Sequence, residues 1–444
     1  MNNHYEIIVI GSGPGGYVAA IRSAQLGFKT AIIEKEHLGG ICLNWGCIPT
    51  KALLKSATVF NYAKHAAEYG INIETPPHVN FTNVIQRSRN VANTMSKGVQ
   101  YLLKKNNIEI INGFAKLMPD KKISVTDNNN SNNILSAENI IIATGARPKE
   151  LPNIKIDNNF IINYKKALAL EKQPETMLVI GSGAIGTELA YLYNSIGTKI
   201  TLVEFMPNIV PLEDEEVSRL LERSLKKDGI NILTNASVEK VDIVNNKCNV
   251  TIKTTNGIVN TTVDIVLSAV GITPNIDNIG LEETGIITEN NKIKVNQFYQ
   301  TNIPGYFAIG DIVAGPALAH KASAEAIICV EKIANLNPNP IDYTNIPSSK
   351  YTSPEIASVG ITEKIAKEKN LNIKIAKFPY TASGKATASG NRDGFVKLIF
   401  DKDTNILLGA HLIGENVTEM IAELVIAKRN NLSPHNIHTT IHPH

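Results

Sequence analysis

The chain opens with a short run of β-branched residues that ends in glycines. Tyr5 to Ile10 is apolar enough for a buried strand, and Gly11 follows at once. Residues Pro14 to Leu26 then show helical spacing of apolar positions, and Lys29 to Ile33 form a second apolar run. A strand, a helix and a strand within about 30 residues predict one βαβ unit of a parallel sheet.

The same pattern returns later at a constant offset. Val179-Ile-Gly-Ser-Gly-Ala-Ile-Gly186 repeats Val9-Ile-Gly-Ser-Gly-Pro-Gly-Gly16, and Lys199 to Glu204 repeats Lys29 to Glu34. The offset is 170 residues for both matches (181 − 11 and 204 − 34). Two copies in one register predict two separate nucleotide-binding domains rather than a chance glycine match.

The remaining segments complete the predicted order of elements. They are amphipathic helices at 52–69 and 82–107, a turn-rich hairpin at 120–135 with Asp127 to Asn133 at its tip, a buried strand from Ile140 to Gly145, antiparallel-type strands at Gly394 to Phe400 and Ile406 to Ile413, and a helix from Asn416 to Arg429. We predict an α/β fold of two Rossmann-like dinucleotide-binding domains plus a C-terminal α+β domain, entered through a linker at Asn335 to Pro340.

Composition and charge exclude several classes of partner. The 444 residues carry 44 Lys and Arg against 41 Asp and Glu, and 6% of them are aromatic. So small a surplus of positive charge gives no reason to expect nucleic acid or an anionic membrane as partner. No apolar stretch approaches the roughly 18–20 residues that span a bilayer. Four cysteines in so long a chain form no secreted disulfide framework, so we expect a cytoplasmic protein.

The two glycine-rich turns carry the first candidate chemistry. Gly11, Gly13 and Gly16 fit the G-x-G-x-x-G spacing between a strand and a helix, and Gly181, Gly183 and Gly186 repeat it. The first glycine allows the tight turn, the second lets the backbone approach a pyrophosphate, and the third lets the helix pack close to the sheet. The pyrophosphate then sits on free N–H groups at the helix N-terminus.

An acid ends the second strand of each repeat. Glu34 and Glu204 both lie 23 residues after the first glycine (34 − 11 and 204 − 181), where a carboxylate can accept hydrogen bonds from ribose hydroxyls. A carboxylate at Glu204 also repels the 2′-phosphate of NADP, and no arginine follows it in Phe205-Met-Pro207. The second domain is therefore expected to bind NAD rather than NADP.

Two cysteines five residues apart lie in the segment Gly39-Gly-Ile-Cys-Leu-Asn-Trp-Gly-Cys-Ile-Pro-Thr-Lys51. A zinc site would need a second ligand pair, and Cys248 and Cys329 stand alone, so we expect no metal. Two unrelated buried thiols would need no surrounding Gly, Asn and Pro. A redox-active disulfide between Cys42 and Cys47 fits better, although an ideal helix holds such residues more than about 7 Å apart. The turn must therefore be distorted, and Gly46 makes that easier.

The cysteine motif, the paired fingerprints and the later segments resemble the pyridine nucleotide–disulfide oxidoreductases over essentially the whole chain. The resemblance implies an FAD-binding domain in residues 1–147, an NAD-binding domain in 148–270, a central segment in 271–340 that completes the FAD site, and a dimerisation domain in 341–444. It implies that Cys42 exchanges with the substrate and that Cys47 lies next to the flavin. Lys51 and Glu188 would form an ion pair near the flavin; without the resemblance they read as surface residues.

The resemblance also assigns further cofactor contacts. Thr144 and Gly145 resemble the strand-end turn that links the two nucleotide domains. Asp311, in a second flavin motif, would bind the ribityl chain, and Ala319 would contact the flavin ring through its backbone. The remaining cofactor-binding positions implied in this way are Gly113, Ala115, Val238 and Gly271.

The end of the chain carries the candidate base. The family has a His-Pro segment whose histidine accepts the substrate proton in the active site of the partner subunit. That residue maps to His444, with His442 as the alternative because it precedes Pro443. The resemblance places a glutamate five residues after the base. With no acid after His444 in these 444 residues, lipoamide turnover is expected to be depressed.

Within the family, the resemblance favours the oxidation of protein-bound dihydrolipoyl groups with NAD⁺ through FAD, as part of 2-oxoacid dehydrogenase complexes. The expected partners are lipoyl domains of dihydrolipoyl acyltransferases and a second copy of the chain. The alternatives are another disulfide reductase of the same fold or a mainly structural peripheral subunit of such a complex. Reductases that use NADPH would disagree with Glu204.

Overall fold

The computed structural model describes residues 3–442, and these form two compact units. The first unit consists of residues 3–52, 86–148 and 272–341, and the second of residues 53–85, 149–271 and 342–442. Residues 53–85, which the sequence suggested would belong to the first domain, therefore cluster with the second unit. Among the described residues, no helix is both long and apolar enough to cross a membrane.

A seven-stranded sheet forms the centre of the first unit. Its order across the sheet is Glu109–Asn112, Thr30–Glu34, His4–Ile10, Asn132–Ile142, Lys122–Thr126 and Phe114–Met118, and Tyr306–Ala308 pairs with Asn132–Ile142. His4–Ile10 runs parallel to both of its neighbours, as the βαβ pattern predicts. Both faces of this central strand are covered, so Ile7, Ile8 and Val9 have no solvent exposure.

Helices and short strands complete the first unit. They are the helices Pro14–Gln25, Gly40–Trp45, Leu281–Thr284 and Ala319–Ile333, the first turn of Cys47–Lys64, most of Phe81–Lys105, and the strands Ala146–Pro148, Ile272–Pro274, Thr288–Glu289 and Lys292–Ile293. The predicted hairpin at 120–135 is confirmed, since Lys122–Thr126 and Asn132–Ile142 are antiparallel over residues 122–126 and 132–136.

The second unit contains three sheets within the described residues. The parallel sheet has the order Asn231–Leu233, Lys199–Val203, Thr176–Ile180, Ile265–Ser268 and Ile161–Ile162. The three-stranded sheet contains Ser237–Val244, Lys247–Thr254 and Gly257–Val263. The C-terminal antiparallel sheet has the order Ser348–Lys350, Glu355–Gly360, Leu407–Gly414, Phe395–Asp401 and Ile373–Pro379. The unit's α-helices are residues 53–64 of Cys47–Lys64, Tyr164–Ala167, Ala184–Ser195, Glu215–Lys227, Glu363–Glu368, Gly384–Ala388, Val417–Arg429 and Pro434–Thr439. The predicted α+β character of the C-terminal segment is confirmed.

Both ends of one predicted helix were wrong by five residues. The helix expected at 52–69 runs from Cys47 to Lys64. The spacing of apolar residues placed the start of this helix too late. The segment around Gly46 contains the candidate reactive cysteines and lacks a regular apolar stripe. The second cysteine therefore occupies a helix N-terminus, which is a site that favours a thiolate.

Candidate active site

The first glycine turn has the geometry that a dinucleotide requires. Gly11 has φ +96°, and a Cβ added there would lie 2.4 Å from the carbonyl oxygen of Ala143. A Cβ on Gly16 would lie 1.9 Å from the carbonyl oxygen of Gly11, whereas one on Gly13 would meet nothing within 4 Å. Gly13 therefore faces open space directly before the helix Pro14–Gln25, whose first turn has no side-chain cap. A pyrophosphate fits this position because free backbone N–H groups point into it.

The second turn repeats this geometry closely. Gly181 has φ +93°, and a Cβ on Gly186 would lie 1.9 Å from the carbonyl oxygen of Gly181. Gly183 again faces open space at the start of the helix Ala184–Ser195. The residues of the second turn thus also fit a dinucleotide.

Each acid at the end of the second strand is buried against its own turn. Glu34 Oε2 accepts hydrogen bonds from the Ser12 backbone N–H at 2.9 Å and from Ser12 Oγ at 2.5 Å. Glu204 Oε2 accepts the equivalent pair from Ser182 at 2.8 and 2.6 Å. The sequence prediction saw the acids but missed the serines. The Gly-Ser-Gly sequence that both turns share was the signal that could have identified the serines.

The two candidate redox cysteines flank a break between two helices. Cys42 lies in Gly40–Trp45 and Cys47 begins Cys47–Lys64, with Gly46 between them at φ −144° and ψ −118°. The predicted distortion at Gly46 is confirmed. A Cβ on Gly46 would lie 3.1 Å from the carbonyl oxygen of Ile41 and 3.4 Å from Cys42 Cα, so the joint between the helices is tight.

Both cysteines are free thiols in this structure and influence each other. The pKa of Cys42 is raised by its hydrogen bond with Cys47, by burial and by the charge of Cys47, whereas Lys51 opposes the rise. Two interacting thiols do not ionise together, and the raised pKa of Cys42 disfavours a thiolate on that residue. Cys47 begins the helix Cys47–Lys64, and the dipole of a helix favours a thiolate at its N-terminus.

A buried ion pair holds the turn before Asp311. Lys321 Nζ and Glu325 Oε1 are 3.0 Å apart and both side chains have no solvent exposure. Lys321 donates to the Gly310 carbonyl at 2.9 Å, and Glu325 accepts the Gly310 N–H at 2.7 Å. Burial raises the pKa of Asp311, and the charge of Lys321 opposes that rise. The sequence prediction found Asp311 but not the pair that fixes the residue before it.

Several other predicted cofactor contacts lie at the ends of strands or at the start of a helix in the first unit. Thr144 Oγ1 donates to the Asn275 carbonyl at 2.6 Å, and Gly145 accepts the Asn275 N–H at 2.8 Å. Gly113 N–H donates to the Glu34 carbonyl at 2.9 Å, which places Gly113 beside the acid of the first turn. Ala319 begins the helix Ala319–Ile333, so its N–H has no partner within that helix.

The remaining predicted residues are distributed over both units. Ala115 is buried in the strand Phe114–Met118, Val238 is buried in the core of the second unit, and Gly271 has φ +111° and accepts the Lys149 N–H. Lys51 belongs to the first unit, and Glu188 to the second, where its Oε1 accepts the Tyr351 N–H at 2.9 Å. Their ion pair stays a prediction.

The candidate base, His444, lies outside the described residues. His442 Nε2 is 2.7 Å from Glu423 Oε1, and this hydrogen bond raises the pKa of His442. The alternative histidine thus has a carboxylate partner within the chain.

Two dinucleotide turns, each with its acid, and a thiol pair beside the first turn define a nucleotide-dependent disulfide oxidoreductase. The chain belongs to the pyridine nucleotide-disulphide oxidoreductase family, whose model matches residues 5–326. The dimerisation domain of the same family matches residues 346–444 and supports a homodimer. The family predicted from the motifs is confirmed.

Two relatives that match along the full length of the chain are both named dihydrolipoyl dehydrogenase. The chain is 45% identical to a dihydrolipoyl dehydrogenase of Rhizobium etli, with 100% of this chain and 96% of the relative covered. It is 43% identical to a dihydrolipoyl dehydrogenase of Zymomonas mobilis, with the same coverage. Among solved structures, LpdA from Mycobacterium tuberculosis superposes with a TM-score of 0.92 at 25% identity, covering 99% of this chain and 96% of that one. The Cu(II) complex of the flavoprotein disulfide reductase RclA from Escherichia coli superposes with a TM-score of 0.89 at 26% sequence identity. The match covers 100% of this chain and 96% of that one.

Proposed function

We propose that this protein is a dihydrolipoyl dehydrogenase. It oxidises dihydrolipoyl groups to lipoyl groups and reduces NAD⁺ to NADH, with FAD as its bound cofactor. The observation that carries the proposal is the pair of mutually hydrogen-bonded thiols, Cys42 and Cys47, on the two sides of a helix break beside the first glycine turn. Relatives that bear this name along the full length of the chain support it.

The first unit offers the residues that would hold FAD. Gly11, Gly13 and Gly16 would bind the pyrophosphate, Glu34 the ribose, and Asp311 the ribityl chain. The open space at Gly13 and the burial of Asp311 fit such a ligand. The chemistry that FAD supplies when bound is two-electron transfer between a dithiol and a nicotinamide. In the second unit, Gly181, Gly183, Gly186 and Glu204 would hold NAD.

The cysteines perform the thiol half of the reaction. A thiolate of the dihydrolipoyl group attacks Cys42 Sγ in the oxidised pair, and Cys47 leaves as a thiolate. The second substrate thiol then attacks the substrate sulfur of the mixed disulfide, and Cys42 leaves. The substrate is released as the cyclic disulfide, and its two electrons stay on Cys42 and Cys47. Cys42 regains a proton because its pKa is raised beside Cys47.

A base must remove protons from the substrate dithiol, because the thiolate is the nucleophile. His444 is assigned this role in the partner subunit's site, with His442 as the alternative. Lys51 lowers the pKa of Cys42 through its charge and so limits the cost of a thiolate there. Glu188 is assigned to orient Lys51.

The natural substrates are lipoyl domains of dihydrolipoyl acyltransferases, and the protein acts in the cytoplasm as a component of 2-oxoacid dehydrogenase complexes. Relatives named dihydrolipoyl dehydrogenase along the full length of the chain support this assignment.

Thiol counting tests the proposal directly. The FAD-loaded protein is denatured and alkylated before and after treatment with dihydrolipoamide, and the alkyl groups on the peptide containing Cys42 and Cys47 are counted by mass spectrometry. We expect two additional groups after treatment, accompanied by NADH when NAD⁺ is present. An unchanged count would exclude the thiol mechanism, and turnover with glutathione disulfide and NADPH alone would indicate another reductase of this fold.

A further inference from the structure

The helix Phe81–Lys105 holds the backbone of the cysteine segment through three consecutive side chains. Arg87 Nη1 donates to the Ala52 carbonyl at 2.7 Å, Ser88 Oγ to the Pro49 carbonyl at 3.1 Å, and Arg89 Nη1 to the Asn44 carbonyl at 2.7 Å. Asn44 is the acceptor that lies between the two cysteines. Arg89 therefore contacts the segment where its conformation determines how Cys42 and Cys47 approach each other.

Arg89 makes a second contact with the same segment. Its guanidinium carbon lies 4.6 Å from the ring centroid of Trp45, the residue directly before the Gly46 joint. A guanidinium over an indole face is a favourable cation–π arrangement. The hydrogen bond and the stacking together fix the last two residues of the helix Gly40–Trp45, and the positive charge lies at the negative end of that helix.

Arg89 is half-buried, and two enclosed nitrogens of its guanidinium carry a cost that packing does not explain. Burial lowers its pKa, no carboxylate of the described residues pairs with it, and its Nε and Nη2 are buried without a hydrogen-bond partner in residues 3–442. A guanidinium normally gains its stability from a bidentate carboxylate. Here the guanidinium instead donates to the Asn44 carbonyl and stacks on the Trp45 ring. These contacts indicate a role in the conformation of the segment Asn44–Gly46.

The buried nitrogens also define the kind of role. Nε and Nη2 are shielded from solvent and cannot reach a substrate, so Arg89 acts through Asn44 and Trp45 rather than on the reacting sulfurs. Both contacts are made in a structure where Cys42 and Cys47 are free thiols. Closing the disulfide requires the Cα atoms of the pair to lie within about 7 Å, and the joint at Gly46 is where the segment turns to achieve that.

We propose that Arg89 is a positioning residue that holds the segment Asn44–Gly46 in its dithiol conformation and thereby favours reduction of the Cys42–Cys47 disulfide. The inference rests on the proposed function, because it assumes that this pair is redox-active. Reduction breaks the S–S bond and adds two electrons and two protons, one proton to each sulfur, or one less when Cys47 stays a thiolate. Dithiothreitol supplies them in the test and becomes its cyclic disulfide.

The test compares Arg89→Met with wild type in the FAD-loaded full chain. Samples are equilibrated in buffers of reduced and oxidised dithiothreitol, quenched with acid and alkylated after unfolding, and the reduced fraction of the peptide with both cysteines is measured by mass spectrometry. We expect the equilibrium constant for reduction to fall about tenfold, which corresponds to about 30 mV for a two-electron couple. Arg89→Lys should fall less, because an ammonium still donates to the Asn44 carbonyl but stacks poorly on Trp45.

Arg87→Met is the matched control. Arg87 lies on the same helix and donates a hydrogen bond of the same length, but to a carbonyl beyond the second cysteine. Both Met variants should lose similar stability against urea, whereas the equilibrium constant for Arg87→Met should stay within twofold of wild type. In a parallel sample alkylated without unfolding, the buried Cys248 and Cys329 should stay unmodified and thus report on intact folding.

Three outcomes are distinguishable. A wild-type pair that never forms a disulfide in oxidised buffer would refute the proposed function itself. A wild-type pair that titrates normally, with Arg89→Met within twofold of it or Arg87→Met shifted equally, would overturn the role of Arg89 alone. If Arg89→Met does not fold, Arg89→Lys decides, since an unchanged equilibrium constant in that variant together with unchanged flexibility of Trp45 by fluorescence anisotropy contradicts the proposal.

Discussion

The two glycine turns are nearly identical in backbone and differ in what packs against them. In both, the third glycine touches the carbonyl oxygen of the first, and a buried acid accepts two hydrogen bonds from the intervening serine. In the first turn, a Cβ on Gly15 would lie 3.2 Å from Ile309 Cδ1 and 3.3 Å from the Ala322 carbonyl oxygen. The second turn has Ile185 at that position and carries a full side chain there.

The segment that returns to each turn also differs. Gly39 N–H donates to the Ser12 carbonyl at 3.1 Å, and Val210 N–H makes the same bond to Ser182. In the first unit this segment continues through Gly40, whose Cβ would lie 2.7 Å from Gly13 Cα, directly into the cysteine helix. The comparison teaches that the turn and its acid define nucleotide binding, whereas the segment that packs over the turn defines which reaction takes place.

Replacing Cys42 should separate thiol exchange from nucleotide oxidation most sharply. Cys42→Ser removes the sulfur that exchanges with substrate, so lipoamide-dependent NADH formation should fall by about 10⁴-fold or more. Oxidation of NADH by an artificial acceptor needs no thiol exchange and should persist. Cys248→Ala, which changes a buried thiol of the second unit, is the control and should keep lipoamide turnover. Persistent lipoamide turnover in Cys42→Ser would contradict the assignment.

Substitution of the third glycine should impair each turn separately. Gly16→Ala and Gly186→Ala both force a Cβ to within 1.9 Å of a carbonyl oxygen, so we expect a loss of about 3 kcal/mol in the free energy of unfolding. FAD content, measured by visible absorbance, should fall in Gly16→Ala, and NADH affinity should fall in Gly186→Ala. Gly98→Ala, in an exposed helix position with nothing within 4 Å, is the control and should be neutral or stabilising. Normal retention of both ligands would argue against the close contacts.

The two acids should differ in nucleotide specificity. Glu204→Ala or Glu204→Arg should narrow the ratio of kcat/KM for NAD over NADP by about 1–3 kcal/mol, because a desolvated carboxylate no longer repels the 2′-phosphate. Glu34→Gln is the matched variant in the first turn and should weaken FAD retention without changing that ratio. Equal use of NAD and NADP by the wild type would show that Glu204 does not select the nucleotide.

The smallest effect is expected at the position where the turns differ in sequence. Gly15→Ala should lower the free energy of unfolding by about 1 kcal/mol, because its Cβ is crowded by Ile309 and Ala322. Ile185→Ala keeps a Cβ that the second turn already accommodates and should cost less. Urea midpoints at constant m-value measure both. A larger loss of unfolding free energy in Ile185→Ala than in Gly15→Ala would contradict the prediction that the first turn is the more crowded one.

Much of the candidate site could be predicted from the sequence because its chemistry is local. Gly11 and Gly181 need a positive φ that follows from the strand–turn–helix connection, and the acids at Glu34 and Glu204 come from the same βαβ unit. The distortion at Gly46 followed from helix geometry and the five-residue spacing of the cysteines. The family resemblance then supplied roles for Asp311 and Ala319, which no local pattern defines.

Only the tertiary structure revealed the residues that support these groups. Arg89 donates to the Asn44 carbonyl although the two lie more than 40 residues apart in sequence (89 − 44). Glu325 accepts the Gly310 N–H from a helix position that the sequence pattern alone assigns to the apolar core. The grouping of residues 53–85 with the second unit depends likewise on contacts between distant segments. Local sequence determined which residues can form a turn, an acid or a thiol pair. Packing decided which distant side chain forms a hydrogen bond with each backbone group or an ion pair with each buried charge. Such partners are neighbours in the folded structure and not along the chain.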